Sequence, residues 1–286
     1  MLLREVGYAR PGSLGEAIEL LRSDDGARAL AGGQTLINVM KARAGSPDGL
    51  VDLSRIEELK GIELGGDGIL EIGAMATYTE IVESGEARAR PILGAVCAQI
   101  ADVQVRNRGT IGGSLVHADP ASDLPATALA LGAELRVAGP RGQRSIKAED
   151  FFVGLLTTAI APDEILTEVR FPLLPAKTGA AYVKVRNKAS HYAIVGVAAV
   201  VTLGGDGRCQ QARIGLTGVT HKPQRASAAE SALAGQALDD GVIAEAAGLA
   251  ADGIKALSDI HASAEFRLHL AKVMTGRALK LALSRS

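Results

Sequence analysis

The sequence predicts an α+β fold in three regions: a small parallel β-α-β unit, a larger unit with a mixed or antiparallel sheet, and a three-stranded antiparallel sheet followed by a C-terminal helical bundle. Three observations carry that expectation. A strand, a helix and a second strand follow one another before residue 56. Paired apolar runs then flank the glycine turns Gly65-Gly66-Asp67-Gly68, Gly139-Pro140-Arg141-Gly142 and Gly204-Gly205-Asp206-Gly207, which are hairpin signals. From Ala226 onward the chain is rich in Ala and Leu at helical spacing. At 286 residues it is too long for one small core, and the expected boundaries are 1–56, 57–176 and 177–286.

Ser13-Leu14-Gly15-Glu16 is a capping-box pattern, and Ala17, Ile18, Leu20 and Leu21 follow at helical spacing. Residues 28–31 read as a short strand ending in a glycine pair, 36–44 as a helix with Thr35 as its candidate cap, and 49–53 as the next strand. In the second region a hairpin spans 61–72. Thr77-Tyr78-Thr79-Glu80 starts a short helix by the same capping logic, and Pro91 opens another that runs to about Ala101. The stretch HADPASDLPA has no periodicity and carries Pro and Asp at turn positions before an apolar helix at 124–131. Residues 135–137 pair with 143–146, 165–171 close the sheet, and 172–177 form a Pro-containing linker. In the third region 182–185, 192–203 and 211–217 are the strands. Breaks near Asp239 and Asp259 divide the remainder into three helices.

Composition narrows the function. Lys and Arg number 31 against 32 Asp and Glu, no segment concentrates basic residues, and aromatic residues are 3%, which argues against nucleic-acid binding. The longest apolar run, 192–203, is too short for the roughly twenty residues that cross a bilayer, so no transmembrane segment is expected. The N-terminal MLLREVGYARPGS carries early charges and no apolar core of a signal peptide, which makes a cytoplasmic location the expectation. Cys97 and Cys209 stand alone among apolar neighbours, and the five histidines form no metal-ligand pair. A four-cysteine iron–sulfur cluster is therefore excluded from this chain, and no metal site is expected.

The chemistry concentrates in two glycine pairs. In AGGQTL, at 31–36, bare backbone sits between a strand and a helix start, where unpaired N–H groups suit an anion such as phosphate. The same pattern also reads as a tight turn, and neither the GxGxxG nor the GxxxxGK[ST] fingerprint is present. TIGGSL, at 110–115, supplies the second pair, and Asp123 follows just before a helix. Asp123 reads either as that helix's N-cap or as a carboxylate for the sugar hydroxyls or adenine amine of a long phosphate-bearing ligand. Two such loops bracketed by hydroxyl side chains favour the ligand.

AGGQTL, RNRGTIGGSL, ADPASDLP, EILTEVRFP and YVKVRNKASHYAIVGVAA follow in an order and spacing that resemble the FAD-binding medium subunits of the molybdenum hydroxylases. That family includes carbon monoxide dehydrogenase, quinoline oxidoreductases and, as a fused domain, xanthine dehydrogenase. The resemblance covers essentially the whole chain and implies that 1–56 and 57–176 form a two-part FAD-binding unit. Ala31, Gly32, Gly33, Gln34 and Thr35, with Leu36 beside them, match the loop that wraps the FAD pyrophosphate, with Thr35 where Ser is common. Thr110, Ile111, Gly112, Gly113 and Ser114 match a second cofactor loop, with Ser114 replacing a frequent Asn and reaching less far. Asp123 matches a carboxylate associated with the adenosine portion, and Asp119 of the same stretch is assigned to the cofactor with it. Ile100 and Leu166 match apolar cofactor contacts, Lys184 a basic residue near the flavin, and Tyr192 an aromatic ring at the isoalloxazine. On residue type alone, Lys184 also reads as a solvated strand lysine and Tyr192 as core. His191 stands where Asp or Gly is often found.

The resemblance implies one component of a heterotrimer. A large subunit with molybdenum-pterin oxidises the substrate, a small subunit with [2Fe–2S] clusters relays electrons, and FAD in this chain passes them to an external acceptor. No catalytic residue or metal ligand is then expected here, and a dimer of such heterotrimers is implied. A self-contained FAD-dependent oxidoreductase would need its own acid or nucleophile beside the flavin. A non-catalytic assembly subunit is opposed by the intact glycines.

Overall fold

The computed structural model describes residues 2–286, and it builds the chain around four sheets. β1 (Gly7–Ala9), β2 (Ala27–Leu30) and β3 (Gly49–Asp52) form a parallel sheet in the order β1-β3-β2, with Ala27 and Gly7 both opposite Gly49. β1 was not legible as a strand, being three residues of which the first two are exposed. Helix Leu14–Ser23 covers this sheet with Ala17, Ile18 and Leu21. Ser13 caps it by accepting from Glu16 N–H, while the Glu16 carboxylate reaches one residue further back, to Gly12 N–H.

The middle region has β4 (Ile62–Leu64), β5 (Leu70–Gly73), β6 (Glu134–Gly139) and β7 (Gly142–Lys147), then a small ribbon of β8 (Phe152–Gly154) and β9 (Thr157–Thr158), then β10 (Ile165–Phe171). The antiparallel order β4-β5-β10-β6-β7 places β10 at the centre, which its buried Ile165, Leu166, Val169 and Phe171 require. Both expected hairpins of this region are present. Thr77 closes a full capping box with Glu80. The helix that Pro91 opens ends at Cys97, short of the expected Ala101, which has left-handed backbone at φ +42°.

The third sheet runs β11 (Thr178–Arg186), β12 (Ala193–Leu203), β13 (Cys209–Thr217) and β14 (Gln224–Arg225) in that order, antiparallel throughout. The two-residue β14 adds an edge to the three strands expected. Helices Ser227–Leu233, Asp240–Gly248 and Ala264–Leu283 follow, broken near Asp239 and Asp259 as the sequence implies. Helix Ala264–Leu283 packs Leu270, Ala271, Met274, Ala278 and Ala282 into the core that this sheet shares.

Helix Asp123–Leu131 joins the middle and third regions, and all nine of its residues are buried. A helix apolar on every face is stable only when enclosed, and this one lies against β12, β13 and helix Pro91–Cys97. Its N-cap is Ser122, so Asp123 is the first helical residue and not the cap that one reading of the sequence made it.

Candidate functional site

AGGQTL lies at the C-terminal end of β2, on the wall of a cavity of about 780 Å³. The backbone N–H groups of Gly32, Gly33, Gln34, Thr35 and Leu36 have no acceptor among the described residues. Five consecutive free donors make a cradle for an anion, and Gly33 at φ +73° supplies the left-handed residue that such nests contain. Thr35 does not cap helix Leu36–Lys41: it has αR backbone and no capping bond, which leaves its hydroxyl to the cavity. That helix is also shorter than the expected 36–44.

TIGGSL is not a loop. Its glycines form the first turn of helix Ile111–His117, capped by Thr110, whose Oγ1 accepts Gly113 N–H at 3.0 Å. Ile111 and Gly112 donate to the carbonyls of Ala76 and Ala74 at 3.0 and 2.9 Å. These donors are consumed by the protein, so the second pair serves packing: a Cβ on Gly112 would lie 2.6 Å from Ala74. Gly32 answers to the same constraint, since a Cβ there would collide with the carbonyl oxygen of Arg108. The two glycine segments are thus pressed together, backbone against backbone, and Gly113 faces Ala31 across the seam.

Residues Ala31, Gly32, Gly33, Gln34, Thr35 and Leu36 all line the cavity, as do Ile100, Thr110, Gly112, Gly113, Ser114, Asp123, Leu166 and Tyr192. Three expected residues do not. Ile111 is fully buried in the middle core. Asp119 braces its own turn by accepting from Ala121 N–H at 2.8 Å. Lys184 is enclosed behind the wall: its ammonium donates to Asp123 Oδ2 at 2.7 Å, to the His191 carbonyl at 2.8 Å and to the Gln99 carbonyl at 3.1 Å, which uses all three of its hydrogens. The Ser114 hydroxyl is likewise engaged, 2.8 Å from that of Ser122.

The Tyr182 hydroxyl donates to Oδ1 of the buried Asp123 carboxylate. Burial pushes the Asp123 carboxyl up from its ordinary value, opposed by Lys184 and Tyr182. Burial raises the Tyr182 phenol well above its usual range, with Asp123 adding to the effect. Tyr192, 40% exposed at the mouth, is raised by partial burial and then by Asp119. The remaining walls are mostly apolar, from Leu30, Val39, Met75, Val105 and Ile160.

Sequence reasoning missed Asn38, Tyr78, His117 and Ser190, and left His191 unassigned, yet all five line the cavity. Tyr78 carries the apolar signature of a core residue, which it also is. Ser190 and His191 had a signal in the aperiodic NKASHY that separates two strands.

The chain matches the family described as FAD binding domain in molybdopterin dehydrogenase over residues 4–174, and CO dehydrogenase flavoprotein C-terminal domain over 180–282. The carbon monoxide dehydrogenase medium chain of Afipia carboxidovorans is 41% identical over 281 residues, 98% of this chain and 97% of its own. Among solved structures, carbon monoxide dehydrogenase from Hydrogenophaga pseudoflava superposes with a TM-score of 0.96 at 38% identity, covering 100% of this chain and 99% of that one. Quinoline 2-oxidoreductase from Pseudomonas putida 86 superposes at 0.93 and 38% identity, over 99% of both chains.

Proposed function

This chain belongs to the FAD-binding medium-subunit family of the molybdenum hydroxylases, and from that premise we propose how its residues serve the cofactor. It is the flavoprotein component of a multi-subunit dehydrogenase: substrate is oxidised on a partner carrying molybdenum-pterin, and electrons reach this chain by way of [2Fe–2S] clusters. FAD supplies the chemistry of accepting electrons and handing them to an external acceptor.

The observation that carries the reading is the run of five free N–H groups at 32–36 on a cavity large enough for a dinucleotide. Gly32 to Leu36 hold the pyrophosphate, and the hydroxyls of Thr35 and Thr110 flank it. Ile100 and Leu166 exclude water from the apolar part of the cofactor, and Tyr192 covers the ring at the mouth. Asp123 receives a polar hydrogen of the cofactor. Lys184 acts through Asp123 by fixing its carboxylate, Asp119 and Ile111 act by shaping the turn and helix that carry the wall, and Ser114 acts through Ser122. On this reading the units 1–56 and 57–176 clasp FAD between them, and 177–286 contributes Tyr192 and His191. The assembly is a dimer of heterotrimers with one large and one small partner, and it is cytoplasmic, in keeping with the free thiols of Cys97 and Cys209.

The test is an absorption spectrum of the purified chain, alone and with the chains that copurify, followed by release of the chromophore. Flavin bands yielding FAD, with iron–sulfur absorbance only in the copurified material, support the assignment. A colourless chain that takes up no added FAD sinks it.

A further inference from the structure

The turn between β11 and β12 holds His191 in left-handed backbone, φ +61°. Glycine enters that region readily, and most residues with a Cβ do not. A non-glycine residue held there beside a ligand cavity points to a use for its side chain. His191 lines the cavity next to Ser190 and Tyr192.

Its ring is fixed. Nδ1 lies 2.9 Å from the carbonyl oxygen of Ala101, itself at φ +42°, and the backbone N–H of His191 donates to Asn187. A carbonyl oxygen only accepts, so Nδ1 carries a hydrogen in both protonation states and Nε2 is the atom that titrates. Nε2 has no protein partner among the described residues.

The charged and titratable neighbours come from every side. Arg106 donates Nη1 to the same Ala101 carbonyl at 3.1 Å. Lys184, on the His191 carbonyl, is balanced by Asp123. Tyr192 adjoins in the chain, His117 at the end of helix Ile111–His117 lines the same cavity and lies 3.8 Å from Asp119, and His261 stands 3.2 Å from the Asn187 amide. A negative charge that forms in the cavity draws a proton to a free ring nitrogen on its wall.

We propose that His191 takes up a proton at Nε2 when the flavin held in this cavity becomes anionic, and so sets how many protons accompany each electron pair. The inference rests on the FAD reading above. In balance, oxidised FAD, neutral His191, two electrons and two protons give FADH⁻ and the His191 imidazolium. The electrons come from the iron–sulfur donor in the complex, or from dithionite in the test, and both protons come from solvent.

The experiment is the flavin midpoint potential of the full-length, FAD-loaded chain, followed from about pH 5 to about pH 8, the window in which an imidazole titrates. The native chain takes up one more proton per electron pair than His191→Asn over part of that window, the asparagine amide standing where Nδ1 bonds Ala101. Superimposable profiles, with FAD bound in both, overturn the role of His191 alone. A chain that binds no FAD overturns the cofactor reading and this proposal together. If His191→Asn does not fold, imidazole NMR of the native chain decides. The imidazole assigned to His191 shifts its titration midpoint up by about one pH unit or more on reduction, a tenfold change in proton affinity. If it does not shift, the proposal fails.

Discussion

Lys184 and Asp123 pair at 2.7 Å with side chains only 2% and 5% exposed, and the lysine's other two hydrogens hold the carbonyls of Gln99 and His191. One ammonium therefore ties three wall segments of the cavity. Lys184→Met leaves a buried carboxylate with only Tyr182 for a partner and is expected to cost about 3–5 kcal/mol. Asp123→Asn combined with Lys184→Met removes both charges and recovers much of that loss. Urea unfolding midpoints measure it, and a double variant as unstable as the sum of the singles would refute the coupling.

Gly32→Ala and Gly15→Ala are expected to act in opposite directions. A Cβ at 32 meets the Arg108 carbonyl, so the loop must move away from the seam, lowering the melting temperature and releasing FAD. A Cβ at 15 meets nothing within 4 Å on an exposed position of helix Leu14–Ser23, and Ala there stabilises by up to about 1 kcal/mol. FAD retained by Gly32→Ala at native stoichiometry would show that the seam does not shape the cradle.

Asp259 gives the acid limb of stability. Against the upward push of burial, Arg267 and the N–H groups of His261 and Ala262 hold its carboxyl down to about 2. Its folded value lies below the unfolded one, so the contribution is complete above about pH 4 and is lost as pH falls toward 2. The side chain is 43% exposed and solvent screens part of the effect. The stability difference between the native chain and Asp259→Asn should shrink over that range in thermal unfolding; a difference that does not vary with pH would count against the pairing.

Tyr192→Ala should change the absorption and reactivity of bound flavin while leaving the melting temperature nearly as it was, because the ring is 40% exposed and completes no core. A large stability loss with an unaltered flavin spectrum would make Tyr192 a structural residue.

Much of this was legible in the chain. Strand Ile165–Phe171 and the hairpins at the glycine turns announced themselves by local pattern, because an apolar run bounded by turn residues has few other solutions. TIGGSL was misread as a loop because helix propensity penalises glycine, and the penalty is overridden by Thr110's cap and by contact with Ala74. Two of the three partners of Lys184, the Asp123 carboxylate and the Gln99 carbonyl, lie 61 and 85 residues away, so no window around residue 184 contains them. Ser114 was expected to face the cofactor, and only the packing of two turns shows its bond to Ser122.

The press of Gly32 against the Arg108 carbonyl sets an order of events during folding. The contact joins segments widely separated along the chain, and closing such a loop is slow and entropically unfavourable until the segments on either side are already structured. The 32–36 loop is therefore expected to take its final form only once residues 108 and 109 are in place, and a nascent chain emerging N-terminus first exposes AGGQTL before that contact can close. Cofactor loading becomes a checkpoint on completed folding, and apoprotein withheld from FAD should show its loosest backbone at this seam.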